Sequence, residues 1–338
     1  MKKKGTRLLA FLLVLAVGSA CLPVSLPGQT VQAQEEIQEN VTTTQGTTTA
    51  QGTTTQSSNT TTQKKETTTQ AKAAVSTERK AVWFSFDDLD FKVKTKAYFT
   101  KQIKKMFDNV KSMGMNTVVV HVRPFGDAMY ESEYFPWSKI ASGKQGKNPG
   151  FDPLNIMVTQ AHERNLRIEA WVNPYRVTLS STSISKLSKD NPARKWYSKA
   201  ATRRNVLIYN GQIYYNPSKP AVRQLIVKGV KELVQNYDVD GIHFDDYFYP
   251  SFTQYNYKRV FDAKEYNAYV KRQQKKNESY TSITSWRRSQ VNCLVRQVYQ
   301  AIKKIDSSVE FGISPAGNID NLKSKTSYYV DIDRWVCN

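Results

Sequence analysis

From residue 79 onward the chain alternates short apolar runs with stretches of helical periodicity. Ala81–Phe86 is a short apolar run ending in Asp87-Asp88. Phe99, Ile103, Met106, Phe107, Val110 and Met113 then recur at helical spacing, with Gly114 as the stop. Thr117–Arg123 reads as a buried strand, followed by a loop, 124–151, rich in Gly, Pro and aromatics. Asp152-Pro153 supplies a capping Asp and a first-turn Pro for the next helix. Arg167–Val172 is a third strand, ending in Asn173-Pro174-Tyr175-Arg176, and the stretch after it reads as irregular. Lys219-Pro220 opens a helix carrying Val222, Leu225, Ile226, Val230 and Leu233 on one side. Gly241–Asp246 is the fourth strand, and a long helix through Trp286, Leu294, Val298 and Ile302 leads to the fifth, Val309–Ser314.

Repeated strand–helix order predicts an α/β protein with a parallel sheet. Its long polar and aromatic loops all follow strands, as in a (β/α)8 TIM barrel, where they build one mouth. No Gly-x-Gly-x-x-Gly follows the first strand, which counts against a dinucleotide fold. Five readable strands predict a barrel truncated after about five βα units, roughly three short of closure.

Side chains alternate along a strand, so parity sorts inward from outward positions. Bulky Ile242 and Phe244 belong against the helices, leaving Gly241, His243 and Asp245 inward. The same reasoning turns Val82, Phe84 and Phe86 outward and Trp83, Ser85 and Asp87 inward. It also places His121, Arg123, Glu169, Trp171, Asn173, Gly312 and Ser314 inside. One register thus gathers Asp87, Arg123, Asn173, Asp245 and Ser314 at a single mouth. A carboxylate beside an Arg and an Asn amide can stay ionised at neutral pH, and glycoside hydrolysis needs such a group plus a second carboxyl. Loop aromatics, among them Trp137, Tyr175 and Tyr247, could stack on sugar rings. Each feature also has a plainer reading: Asp87 and Asp88 as helix caps, Asp245-Asp246 as a buried pair or cation site, the aromatics as loop packing.

Residues 1–33 carry Lys2, Lys3, Lys4 and Arg7 ahead of an apolar run, Leu8–Val17, too short to span a bilayer. They read as a signal peptide cut after Val31-Gln32-Ala33; a lipidated Cys21 after Ala20 is the alternative. Residues 34–78 form a Thr- and Gln-rich linker with too little apolar surface to order itself. The expected location is therefore extracellular or in the cell envelope. The formal net charge is +20. The first 33 residues hold four basic side chains and no acid, and residues 34–78 hold three Lys and five Glu, so residues 79–338 carry +18. A basic surface suits anionic wall polymers; export and the lack of any nucleic-acid motif oppose a nucleic-acid partner. Three Cys and three His exclude a disulfide scaffold and a multi-His centre, and neither a cofactor nor a metal is expected.

Several stretches carry a family resemblance: Asn116–Tyr130 with its Val-His-Val-Arg-Pro-Phe-Gly-Asp core, Pro136-Trp-Ser138, Phe151–Leu154, Ala170–Arg176, Asn216-Pro217, Tyr237–Pro250 and Phe311–Pro315. Together, over about residues 79–338, they resemble the bacterial glycosyl-hydrolase-like family 10 proteins. The resemblance implies a TIM barrel, export, and action on cell-wall glycan, with peptide-free peptidoglycan strands as substrate class. Gly-x-x-x-Asp on the fourth strand is also similar to amylase-type barrels, where the Asp is the nucleophile; by analogy that role falls to Asp245. Ser314 stands where those barrels bear their acid, which leaves Asp87, Asp127, Asp246 or a residue outside this chain. Arg123, Asp127, Trp137, Asn173, Tyr175, Arg176, His243 and Tyr247 are the candidates for holding sugar. The rival expectation is a non-catalytic glycan-binding protein on an incomplete barrel.

Overall fold

A computed structural model of the protein describes residues 78–337. The expected signal peptide, Cys21 and the linker up to residue 77 lie outside the described residues.

The chain runs through β1 (Ala81–Phe84), α1 (Phe86–Leu89), α2 (Lys96–Ser112), β2 (Thr117–Arg123), α3 (Lys139–Ser142), α4 (Pro153–His162) and β3 (Arg167–Val172). It continues through α5 (Pro192–Tyr197), β4 (Val206–Tyr209), β5 (Gln212–Tyr215), α6 (Pro220–Asn236) and β6 (Gly241–Asp245). It closes with α7 (Ala263–Lys275), α8 (Ile283–Ile305), β7 (Glu310–Ser314), α9 (Ile319–Leu322) and α10 (Ile332–Cys337).

The main sheet has the order β1-β2-β3-β6-β7, every pair parallel. Spatial order follows chain order with no reversal. A doubly wound sheet would switch direction at its middle, so this sheet is five consecutive βα units of a (β/α) barrel wall. All seven residues of β2 are buried, as a strand covered on both faces requires. Its outer side, Val118 and Val120, joins a core with Ile103 and Phe107 of α2, while α6 and α8 pack together behind the later strands. The Asp152 carboxylate accepts from the Asn155 N–H at 3.0 Å and starts α4, with Pro153 in the first turn.

Three local features depart from simple alternation. β1 ends at Phe84, and Ser85 starts a helical turn whose Asp88 carboxylate accepts from the Ser85 N–H at 2.9 Å. The turn brings Phe86 against the inward His121 (centroids 5.8 Å apart) and leaves Asp87 exposed on α1. The expectation that Asp87 points inward from a strand end, with Phe86 outward, is thereby corrected. Next, the β2–β3 register slips: His121 pairs with Trp171, but Arg123 pairs with Val172. A bulge of this kind turns the following side chain to the other face. Arg123 therefore lies on the helix side, its guanidinium 4.5 Å from the Phe135 ring, which in turn abuts Gly229 of α6. Finally, the supposedly irregular stretch after β3 holds the antiparallel β4–β5 hairpin. Its turn is Asn210-Gly211, with φ of 45° and 77°, the left-handed pair a two-residue hairpin turn demands. The hairpin pairs back onto the loop after β3, since Tyr215 N–H donates to the Tyr175 carbonyl and Val177 N–H to that of Ile213.

Candidate active site

The interior of the wall is polar from base to mouth. At the base, Arg79 reaches Glu169 of β3 at 3.1 Å. The other oxygen of Glu169 lies 2.9 Å from His243 Nδ1 on β6, and His243 Nε2 meets the Ser314 hydroxyl on β7. Gly241 and Gly312 make room for this chain: a Cβ at Gly241 would lie 3.1 Å from Glu169 Cγ, and one at Gly312 would lie 3.0 Å from His243 Nδ1. Beside it His121 stacks on Trp171, rings 3.7 Å apart and 4° from parallel, and Trp83 meets His243 edge-on. Burial, with the Arg176 and Arg123 charges, lowers the His121 pKa well below its ordinary value, so the ring is neutral.

At the mouth, Asp245 ends β6 in register with Ser314. Its carboxylate accepts from the Trp171 indole at 3.2 Å, from the Asn173 amide at 3.1 Å to both oxygens, and from the Tyr247 N–H at 3.1 Å. Asn173 is fixed by its own turn, since its carbonyl oxygen accepts the N–H groups of Tyr175 (3.3 Å) and Arg176 (2.9 Å). The Asn-Pro-Tyr-Arg sequence thus aims one amide at one carboxylate. Arg176 lies over Phe125 (5.2 Å) and Tyr247 (5.0 Å), and its charge favours the ionised Asp245. Burial nevertheless outweighs these pulls and raises the Asp245 pKa from its ordinary value.

Asp246 differs. Half-buried like Asp245, it has no side-chain donor: it accepts from backbone N–H groups only, that of Ala316 at 2.6 Å, and neighbours the Asp245 charge. Burial first, then Asp245, push its pKa to about 6. Burial thus raises both carboxyls, and Asp246, with fewer donors, is the protonatable one of the pair. The hairpin covers this region: Tyr214 of β5 stacks with Tyr247, rings 17° from parallel and hydroxyls 3.4 Å apart.

The predicted residues therefore fall into two groups. Asp245, Asp246, Asn173, Arg176 and Tyr247 come together, with His243 linked to them through Ser314. Asp87, on its exposed turn, is held apart. Arg123 and Asp127 are buried beneath the loop after β2; Gln145 donates to Asp127 at 2.8 Å, and burial raises the Asp127 pKa to about 6. Tyr175 is fully buried, within electrostatic reach of Arg223 on α6 and Cys293 on α8, so it packs toward the helices and offers no face to a sugar. Trp137 is half-buried in the same loop as Asp127, bridged through its backbone to Ala128. No hydrogen bond or ring contact among the described residues joins Trp137 to Asp245. Trp171 and Tyr214 belong to the site without having been singled out. The inward parity of Trp171 was the available signal for the first, and the Asn-Gly turn for the second.

A donor-ringed carboxylate beside a protonatable one, at the C-terminal mouth of a parallel barrel wall, is an arrangement glycoside hydrolases use. The chain belongs to the glycosyl hydrolase-like 10 family, whose model matches residues 78–338. It is 43% identical over 248 residues to the Bacillus subtilis (strain 168) glycosyl hydrolase YngK, covering 71% of this chain and 45% of that protein. It is 35% identical over 247 residues to the Escherichia coli (strain K12) glycosyl hydrolase DigH, covering 68% of this chain and 53% of the relative. The chain thus spans about half the length of these relatives. Among solved structures it resembles α-L-fucosidase isoenzyme 2 from Paenibacillus thiaminolyticus, with a TM-score of 0.47 and 14% identity, covering 73% of this chain and 34% of that one.

Proposed function

We propose that this protein is an exported glycoside hydrolase that cleaves cell-wall glycan, with peptidoglycan strands stripped of peptide as its substrate. The observation that carries the reading is the unlike carboxyl pair: Asp245 held by three donor groups, Asp246 pushed up to about 6. In this reading Asp245, ionised, attacks the anomeric carbon as nucleophile, or takes a proton from the water that attacks it. Asp246 supplies the proton to the leaving oxygen. Arg176 and Tyr247, one cationic and one aromatic, flank the sugar, and Tyr214 covers it. Family membership and the relatives called glycosyl hydrolases support hydrolysis. The leader sequence and the basic surface support the wall as the location, with a lipid anchor at Cys21 as a variant of the same export.

The experiment is reducing-end release from purified, peptide-free glycan strands by the wild type and by Asp245→Asn. Cleavage by the first and its loss in the second is the expected result. Equal rates remove Asp245 from the mechanism, and binding without cleavage by the wild type favours a glycan-binding protein instead.

A further inference from the structure

The chain Arg79–Glu169–His243–Ser314 has the connectivity of an acid, a base and a hydroxyl, yet it stands outside the carboxyl pair. Glu169 and His243 are both about 4% exposed. Ser314 is half-buried at the mouth, in register with Asp245. One reading is a nucleophilic serine, but the residue after it is Pro315, which has no N–H to offer an oxyanion. The next N–H, that of Ala316, is already donated to Asp246 at 2.6 Å. The chain is better suited to setting the sense of a hydrogen bond.

The sense follows from proton bookkeeping. Glu169 is paired with Arg79 and, as a carboxylate, only accepts. His243 Nδ1, 2.9 Å away, must then carry a proton and donate it. In the neutral ring Nε2 is left as an acceptor, so the Ser314 O–H donates to it. What remains of Ser314 toward the mouth is its lone pairs. Beside it Asp245 is likewise an acceptor. The bare positions Gly241 and Gly312 leave the space in which Glu169 and His243 hold this arrangement.

We infer that Ser314 is a specificity-determining residue, fixed by Glu169 and His243 as an acceptor, which selects sugar units presenting an O–H or N–H donor beside Asp245. This rests on the wall-glycan reading and adds the chemistry of one subsite. Glu169 and His243 are positioning residues that act through Ser314.

Two measurements on the full chain test it. Imidazole ¹H–¹⁵N NMR reads the tautomer directly, and with three His in the protein, His243→Gln assigns the signal. An Nδ1-protonated, Nε2-bare ring is expected, and an Nε2-protonated ring overturns the inference. Binding of a peptide-free tetrasaccharide of alternating N-acetylglucosamine and N-acetylmuramic acid reads the consequence. Ser314→Ala is expected to weaken it about tenfold, the scale of one hydrogen bond, with Ser314→Thr restoring it. Glu169→Gln can donate to Nδ1 and so reverse the whole chain; it should weaken binding similarly, invert the NMR tautomer, and add nothing to Ser314→Ala. Additive losses, no loss, or an alanine variant that Thr does not rescue refute the role of Ser314 alone. No binding by the wild type despite the expected tautomer refutes the wall-glycan reading, and the ligand given to Ser314 falls with it.

Discussion

Asp245 and Asp246 are neighbours in the chain, yet the fold gives them different partners. Asp245 receives an indole N–H, an amide and a backbone N–H, whereas Asp246 receives backbone N–H groups only and the repulsion of its neighbour. Replacing Asp245 by Asn keeps the volume but turns an N–H toward those donors. We expect kcat to fall by about 10²–10⁴, with a loss of unfolding free energy of no more than about 1–3 kcal/mol from the donor left facing a donor. A small loss of rate with a large loss of stability would make Asp245 structural. Asp246 bears on pH. With its pKa at about 6, it is protonated below that value, so hydrolysis should decline as pH rises through about 6. Asp246→Asn should remove that limb, and a profile identical to wild type assigns the proton donor elsewhere. Stability runs in the same direction. The folded protein holds this proton up to about 6, whereas the unfolded chain releases it near the ordinary 3.8. The contribution is complete below the lower value and gone above the upper one. Wild type should therefore lose stability relative to Asp246→Asn between pH 4 and pH 7, read from paired urea titrations.

At the scale of elements, the hairpin makes the sharpest prediction. Gly211 at φ 77° occupies a conformation that a β-branched residue adopts only at a cost of about 1–2 kcal/mol. Gly211→Val should lower the unfolding free energy by about that amount. It should also weaken sugar binding, because Tyr214 would lose its place beside Tyr247; unchanged binding would show that the hairpin does not cover the cleft. This element was legible in the Asn210-Gly211 pair, but the flanking strands have only four residues each, too short for alternation to stand out. By contrast, the five barrel strands and the helices α2, α4, α6 and α8 were readable, because each buries a continuous run or a regular stripe. Parity also placed Trp83, His121, His243 and Asp245 correctly. It failed where the period itself breaks: at Ser85, where a capped turn replaces the strand, and at the β2 bulge, which carries Arg123 to the helix side. A bulge is a property of two strands in register, so neither strand's own sequence announces it. Tyr175 was expected among the loop aromatics that stack on sugar. It is buried instead: the turn at Asn173 carries it off the strand and into the core, and membership of a loop does not say which way a ring faces.

At the scale of the whole molecule, the formal charge of +20 is not concentrated around the Asp245–Asp246 carboxyl pair, where Arg176 acts on Asp245. Much of it lies on outer helical faces: Lys96, Lys101, Lys104 and Lys105 of α2 are exposed, as are Lys264, Lys271, Arg272 and Lys275 of α7. Exposed charges of one sign spaced along helices act on an extended polyanion through many weak contacts, each screened by salt. The Debye length falls from about 10 Å at 0.1 M salt to about 3 Å at 1 M, so such attraction should collapse over that range. Hydrogen bonds at a half-buried carboxylate are screened much less. Retention on walls and turnover of the glycan are thus expected to separate. The protein should bind walls bearing anionic polymer at 0.1 M NaCl, release at 1 M, and bind poorly at either salt once that polymer is stripped. Cleavage of short soluble glycan fragments should change little over the same range. Retention that ignores both salt and the anionic polymer would assign wall binding to the sugar cleft, leaving the basic helices with no role in it.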